Sequence, residues 1–186
     1  MSKFIVQAEA TGDVLYSDEG LSFWGGVDPL TGRVVDVHHP WYGHEIEGKI
    51  LVMPTSRGSC SGSGVLLELV LNGRAPAALI FSMAEETLTL GAVIAARFFD
   101  KMIAVAHLES KEFDALSQVP EATIRENILF FGKNRCTLRP LKKFDLKLSP
   151  LDKLRLSGDP TDPTTLAMDV ICIMAVALGA ERLTDV

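Results

Sequence analysis

The sequence predicts a mixed α/β domain in which short strands and helices alternate around one sheet or flattened barrel, with helices flanking it. Three observations lead there. Short apolar runs stop at proline or asparagine-glycine, as where Ile50–Met53 meets Pro54. Glycine- and serine-rich turns separate these runs, and apolar segments of helical length lie between them. At 186 residues the chain is slightly longer than one typical domain of about 150 residues. Its 47% hydrophobic and 23% charged residues support a packed core and exclude collagen-like, coiled-coil and wholly disordered chains.

Phe4, Val6 and Ala8 alternate with polar neighbours, the pattern of a half-buried strand, and Thr11-Gly12-Asp13 reads as the turn that closes it. Residues 21–42 are dominated by the turn formers Gly25-Gly26, Asp28-Pro29, Thr31-Gly32 and His39-Pro40, which predict a long shaped loop with one strand at 34–37. Ile50–Met53 is uninterruptedly apolar, as a strand buried on both faces must be. The run Arg57-Gly-Ser-Cys-Ser-Gly-Ser-Gly64 is too small and polar for core and leads into a helix predicted over 65–71, ended by Asn72-Gly73. A strand over 75–82, a second helix over 90–99 and a strand over 101–106 follow, with helix and strand both open for 87–96. After Lys133, basic residues alternate with apolar ones in a last strand that runs into a linker at Ser149-Pro150. A separate amphipathic helix then begins with Asp162 as N-cap and Pro163 in the first position. Leu166, Val170, Met174, Ala177 and Leu178 share one of its faces up to Gly179. One such helix cannot form a core alone, so it packs on the first domain, on a partner, or on part of a larger polypeptide.

Eighteen basic against 24 acidic residues give a net charge of -6 without any long run of one sign, which excludes nucleic acid as a partner. The longest charge-free stretch, residues 170–180, is about half of a membrane span, and the N-terminus carries no apolar segment of signal-peptide length. A cytoplasmic protein is expected. Cys60, Cys136 and Cys172 are far apart and form no Cys-x-x-Cys pair, so neither a disulfide framework nor a structural zinc site is indicated.

The serine-rich loop is the sharpest chemical feature. Between a buried strand and a helix, free backbone amides and the positive end of the helix dipole make a site for a carboxylate, a phosphate or an oxyanion. Arg57 adds a fixed charge there, and Ser59, Ser61 and Ser63 add hydroxyls. The plain alternative is that the serines are helix caps and the glycines turn residues. A nucleophile elbow needs serine at the centre of its two glycines, and between Gly58 and Gly62 the centre is Cys60. No Lys-Ser or Lys-Thr follows the glycines, so the loop is not a Walker loop. A hydroxyl here suits proton abstraction if its alkoxide is stabilised electrostatically. Cys60 sits where a thiolate would be favoured, but no histidine is placed beside it by sequence. His38, His39 and His44 with Asp36 match no common metal spacing and read as turn-packing residues. Asp28 and Asp36 are expected to brace turns, and Trp24, Trp41 and Tyr42 to cover the core.

A longer series of motifs is more specific than any one of them. It comprises Gly25-Gly-Val-Asp-Pro-Leu-Thr-Gly32, then Asp36, His39-Pro40 and Gly43, then Gly48-Lys-Ile-Leu-Val-Met-Pro54. Gly58-Ser59, Gly62-Ser63 and Asn72-Gly73-x-Ala-Pro-Ala77 complete it. In this order they resemble the small subunit or swivelling domain of aconitase X, over residues 1–140. The resemblance implies a β/β/α swivelling domain at 1–145 that closes over a large catalytic part. It also implies a hydro-lyase activity, the dehydration of cis-3-hydroxy-L-proline to a pyrroline-2-carboxylate or of mevalonate 5-phosphate. By position in the motif Ser59 would be the general base, with Ser61 and Ser63 weaker candidates. Gly58, Ser61, Gly62 and Ser63 would hold the loop and offer amides to a small carboxylate substrate, and Arg57 would supply positive potential. Residues 146–186, with Leu151-Asp-Lys-Leu, Ala167-Met168 and Gly179-Ala-Glu-Arg-Leu-Thr-Asp-Val186, are similar to the linker and opening helix of the family's large part. The iron or iron–sulfur (2Fe-2S) centre would belong to that large part, with no metal ligand among Cys60, Cys136 and Cys172. A non-catalytic anion-binding or assembly module, with Ser59 a plain cap, and a serine or cysteine hydrolase remain the readings from other classes.

Overall fold

The computed structural model describes residues 2–140 of the chain. Its strands are β1 (Lys3–Val6), β2 (Ala10–Tyr16), β3 (Val27–Asp28), β4 (Arg33–Val34), β5 (Ile50–Met53), β6 (Ala78–Phe81), β7 (Ala104–His107), β8 (Glu121–Arg125), β9 (Ile128–Phe131) and β10 (Asn134–Thr137). The helices are α1 (Ser61–Leu71), α2 (Thr87–Phe98) and the short α3 (Ser110–Ala115), which a 3-10 turn at Leu116–Gln118 extends. Eight strands form one sheet in the order β1-β7-β6-β5-β2-β8-β9-β10, while β3 and β4 make a separate hairpin. Strands β2, β5, β6 and β7 run parallel and the rest of the sheet is antiparallel. The sheet curls until its two ends meet. The Phe4 amide donates to the Arg139 carbonyl at 2.9 Å and the Arg139 amide to the Ser2 carbonyl at 3.1 Å, so the barrel is nearly closed.

The two-faced apolar strands divide their side chains between two cores. Ile50, Val52, Ala78, Ile80, Ala104 and Ala106 point into the barrel, where they meet Ile124, Leu129, Phe131 and Leu138. Leu51, Met53, Leu79, Phe81 and Val105 point outward onto Leu66 and Leu69 of α1, Leu88, Ala92 and Ala95 of α2, and Leu21, Phe23 and Trp41 of the long loop. A strand with core on both sides has no polar face to show, which is why 50–53 reads as a continuous apolar run. Crossovers of helical length between parallel neighbours place α1 and α2 on the same outer face.

Several elements depart from the sequence expectation. The predicted turn at Thr11-Gly12-Asp13 is the middle of β2. Gly12 is there because the Gly48 carbonyl passes 2.2 Å from where its Cβ would lie, a close backbone approach rather than a turn. The strand expected at 34–37 shrinks to the two residues of β4, because the amides of Val35 and Asp36 turn back to the Gly26 carbonyl. Helix α1 begins at Ser61, four residues before the predicted start, so the small-residue run is its first turn. The ambiguous segment 87–96 is helical. The final strand after Lys133 is β10; it pairs antiparallel with β9, which in turn pairs with β8, and the sequence expectation contained neither β8 nor β9. The expected linker and the helix beginning at Asp162 lie outside the described residues.

Candidate functional site

The loop 54–60 leaves the carboxyl end of β5, the edge at which open parallel sheets hold ligands. Main-chain and side-chain bonds pin it from three sides. The Pro54 carbonyl accepts the Met83 amide at 2.9 Å, and the Thr55 hydroxyl donates to the Ala84 carbonyl at 3.2 Å, which ties the loop to the segment after β6. The Arg57 amide donates to the Leu21 carbonyl at 3.1 Å. Gly58 has φ +99°, and a Cβ on it would fall 2.8 Å from the Ser22 hydroxyl, so both conformation and space demand glycine at this bend. Ser59 follows immediately, exposed, and its hydroxyl donates to the Ser61 hydroxyl at 3.2 Å.

Ser59 does not cap α1 with its side chain. Cys60 occupies the N-cap position and no side chain caps the helix, while the Ser59 and Cys60 carbonyls accept the amides of Gly62 and Ser63 at 3.1 and 3.0 Å. Gly62 and Ser63 are thus turned into the helix. Gly62 is buried, its missing side chain making room for Thr87 and Leu88 of α2, and Ser63 bonds the Cys60 carbonyl through its hydroxyl. Of the predicted group, Arg57, Gly58, Ser59 and Ser61 lie exposed on one short stretch, whereas Gly62 and Ser63 serve the packing of its base. Arg57 approaches Asp36 at 3.8 Å with half its side chain exposed, a contact too long and wet to immobilise it.

The histidines do not gather. His39 is buried, accepts the Trp41 amide on Nδ1 at 3.1 Å and packs edge-on against the Trp41 ring, while His38 and His44 are exposed. Burial, with the Arg57 charge adding to it, pushes the His39 imidazole below its ordinary pKa. Asp28 accepts the Leu30 amide and the Thr31 hydroxyl, and Asp36 the His38 amide, so both brace turns. Trp41 is buried and donates to the Tyr16 carbonyl at 3.0 Å. Trp24 and Tyr42, expected over the core, are instead 67% and 56% exposed, because the loop that carries them spends its buried positions on Leu21, Phe23, Val27, Val34 and Trp41.

Sequence reasoning missed Glu85. This carboxylate is 5% exposed and accepts the amides of Leu88 and Thr89 at 2.7 and 2.9 Å, the Thr89 hydroxyl at 2.9 Å and the Ser56 hydroxyl at 2.5 Å. An acidic residue just ahead of an apolar run is a helix-start signal, but its link to Ser56 crosses the fold and leaves no local trace.

The described residues do not suit an iron centre. Cys60 is exposed on the loop, Cys136 is buried in the inner core, and no group of three His, Cys, Asp or Glu among the described residues is placed to hold a metal ion. Two surface hollows, one lined by Pro120, Thr123 and Phe130 and the other by Ile5, Val93 and Met102, include no residue of the loop. No helix among the described residues is long and apolar enough to cross a membrane.

The class this geometry defines is a small α/β domain that carries an exposed serine hydroxyl on a pinned loop at its rim. Residues 1–130 match the family model described as the aconitase X swivel domain, and the chain belongs to that family. It is 39% identical over 189 residues to the cis-3-hydroxy-L-proline dehydratase of Pseudomonas aeruginosa, covering 98% of this chain and 32% of that protein. It is 46% identical over 93 residues to the phosphomevalonate dehydratase small subunit of Methanothermobacter thermautotrophicus, covering 50% of this chain and 71% of that one. The crystal structure of Thermococcus kodakaraensis aconitase X in its holo-form superposes with a TM-score of 0.55 at 34% identity, over 69% of this chain and 87% of that one. The chain spans about a third of the length of the dehydratase it matches end to end. In this family the domain is therefore part of a longer polypeptide in some members and a separate small subunit in others.

Proposed function

We propose that the chain is the swivelling part of a cytoplasmic hydro-lyase that dehydrates cis-3-hydroxy-L-proline, with Ser59 as the proton acceptor. Residues 1–145 form the swivelling domain, and 146–186 lead into the large catalytic part, which supplies the remaining walls of the substrate site and the iron centre. One observation carries the base assignment: the Ser59 hydroxyl is exposed on a pinned loop at the carboxyl end of β5, directly ahead of α1, and caps nothing. As alkoxide, Ser59 takes the proton from the carbon bearing the carboxylate. The C–H electron pair becomes the ring double bond as the 3-hydroxyl departs as hydroxide, leaving a pyrroline-2-carboxylate; return of the proton collected by Ser59 to that hydroxide, directly or through solvent, gives water and restores the base. Arg57 supplies positive potential toward the carboxylate, and the helix dipole favours the negative charge on the oxygen.

The match that covers 98% of the chain favours the hydroxyproline substrate, since the phosphomevalonate relative matches only half of it. A purely assembling role, with Ser59 as helix cap, is disfavoured by the hydroxyl's bond to Ser61 instead of a backbone amide. Ser59→Ala in the complete enzyme tests the assignment. Turnover is expected to fall by about 10²–10⁴-fold, the usual worth of a positioned general base, with the fold and iron content retained. Near-normal turnover by that variant removes Ser59 from the mechanism.

A further inference from the structure

We propose that Glu85 is a positioning residue for the reaction: its carboxylate clamps the Ser56 hydroxyl and so fixes the loop that presents Ser59. The proposal rests on the reading of residues 54–60 as the base-bearing loop. Glu85 divides its two oxygens between two structures. Oε1 accepts both the Leu88 amide of α2 and the hydroxyl of Ser56, three residues ahead of Ser59. Oε2 is committed to α2 alone, through the amide and hydroxyl of Thr89. The Thr89 hydroxyl has one proton to share between Oε2 and the Glu85 carbonyl, yet with the two amides and the Ser56 hydroxyl the carboxylate cannot turn away without breaking several bonds at once.

Its surroundings point the same way. The Thr55 hydroxyl bonds the Ala84 carbonyl, placing a second tie one residue from the first. The N-terminal half of α2 lies directly against the first turn of α1: a Cβ on Gly62 would be tight against the Thr87 methyl, and there is no room for one on Gly91 beside the Ser63 carbonyl. Helix α2 is therefore the anvil on which both ends of the loop rest, and the Ser56–Glu85 bond joins the loop to it through a charged acceptor. Burial strengthens it, because an ionised acceptor in a site of low dielectric makes a short, strong bond.

Ser56→Ala cuts this tie while leaving the three bonds from Glu85 to α2. In the complete enzyme with cis-3-hydroxy-L-proline, it is expected to lower kcat by about 10–100-fold, the effect of misplacing a reacting group by about 1 Å, with KM changed by less than about 2-fold. Ser56→Thr, which keeps the hydroxyl, is expected to recover most of the loss. Ile124→Val, in the inner core far along the chain, serves as a control for stability; it lowers Tm while leaving kcat unchanged. Amide exchange of 55–60 should quicken in Ser56→Ala only. Wild-type kcat in Ser56→Ala, or an equal kcat loss in Ile124→Val, overturns the clamp. Ser59→Ala run alongside separates the two ideas: turnover retained there removes the base, whereas turnover retained in Ser56→Ala removes the clamp whatever Ser59 does.

Discussion

Gly91→Ala is the sharpest test of how α1 and α2 hold the loop. An alanine Cβ at 91 would lie 2.7 Å from the Ser63 carbonyl oxygen, 3.2 Å from the Ser63 Cα and 3.3 Å from the Leu66 Cβ. An unstrained carbon–oxygen contact needs about 3.3 Å, so the helices must part by about 0.6 Å. The obstruction is main chain, which cannot rotate aside, so the cost belongs at the upper end of overpacking, about 3 kcal/mol. Alanine returns about 1 kcal/mol in helix propensity, leaving a net loss of about 2 kcal/mol. At about 2–4 °C per kcal/mol for a chain of this length, Tm should fall by about 4–8 °C. Gly64→Ala is the internal control. Gly64 is also helical, but a Cβ there meets nothing within 4 Å, so only the propensity gain applies and Tm should rise by about 2–4 °C. Thermal and urea unfolding of both variants measure the pair. A Gly91→Ala protein as stable as the parent would show that the helices are not in contact at Ser63, and the anchoring argument for the loop would fall with it.

Two further outcomes follow from buried groups of the long loop. The His39 imidazole is held below its ordinary pKa chiefly by burial, so the folded chain takes up a proton there less readily than the unfolded chain does. Above about pH 6.5 both states are neutral and the shift costs nothing, whereas below that value the unfolded chain takes up a proton that the folded chain refuses. Stability should therefore fall as pH drops from about 6.5 to 5. His39→Asn, which keeps an acceptor for the Trp41 amide, should flatten that slope in a Tm-against-pH series, and an unchanged slope assigns it elsewhere. Trp41→Phe should cost about 1–3 kcal/mol in urea unfolding, because it strips the half-buried Tyr16 carbonyl of the donor that the buried indole supplies; a change under about 0.5 kcal/mol would mean that water replaces the indole.

What could be read from the sequence was whatever local chemistry enforces. Ile50–Met53 announces itself because both its faces are buried, and the loop at 57–64 because nothing so small and polar can fill a core. The three-stranded end of the barrel carries a fair alternation, with Ala122 and Ile124 and then Leu129 and Phe131 pointing inward. Its turns hide it: the first is Glu126-Asn127, with Glu126 at φ 54°, a conformation that glycine would have advertised and glutamate does not. Gly12 misled in the opposite sense, a turn former used for a close approach within a strand. Glu85 was illegible because its meaning lies in Ser56, which is brought to it only by the pairing of β5 with β6. The role proposed for Ser59 came from the resemblance carried by an ordered set of motifs, and geometry adds that its hydroxyl is exposed.

That exposed position bears on how the proposed base is made. A serine alkoxide facing water gains little from an arginine or a helix end, since a high dielectric weakens both and a water molecule is the better-solvated acid. The same charges act several times more strongly once water is excluded. If Ser59 is the base, a rim site would leave it a plain hydroxyl until a facing wall excludes water, and the loop amides and the Arg57 charge would then have to outweigh the cost of desolvating the alkoxide. Such a device needs a loop that arrives already shaped, for any entropy spent ordering it at closure would weaken the encounter. Gly58 wedged on Ser22, Arg57 bonded to Leu21 and Ser56 held by Glu85 are the ties that shape it beforehand.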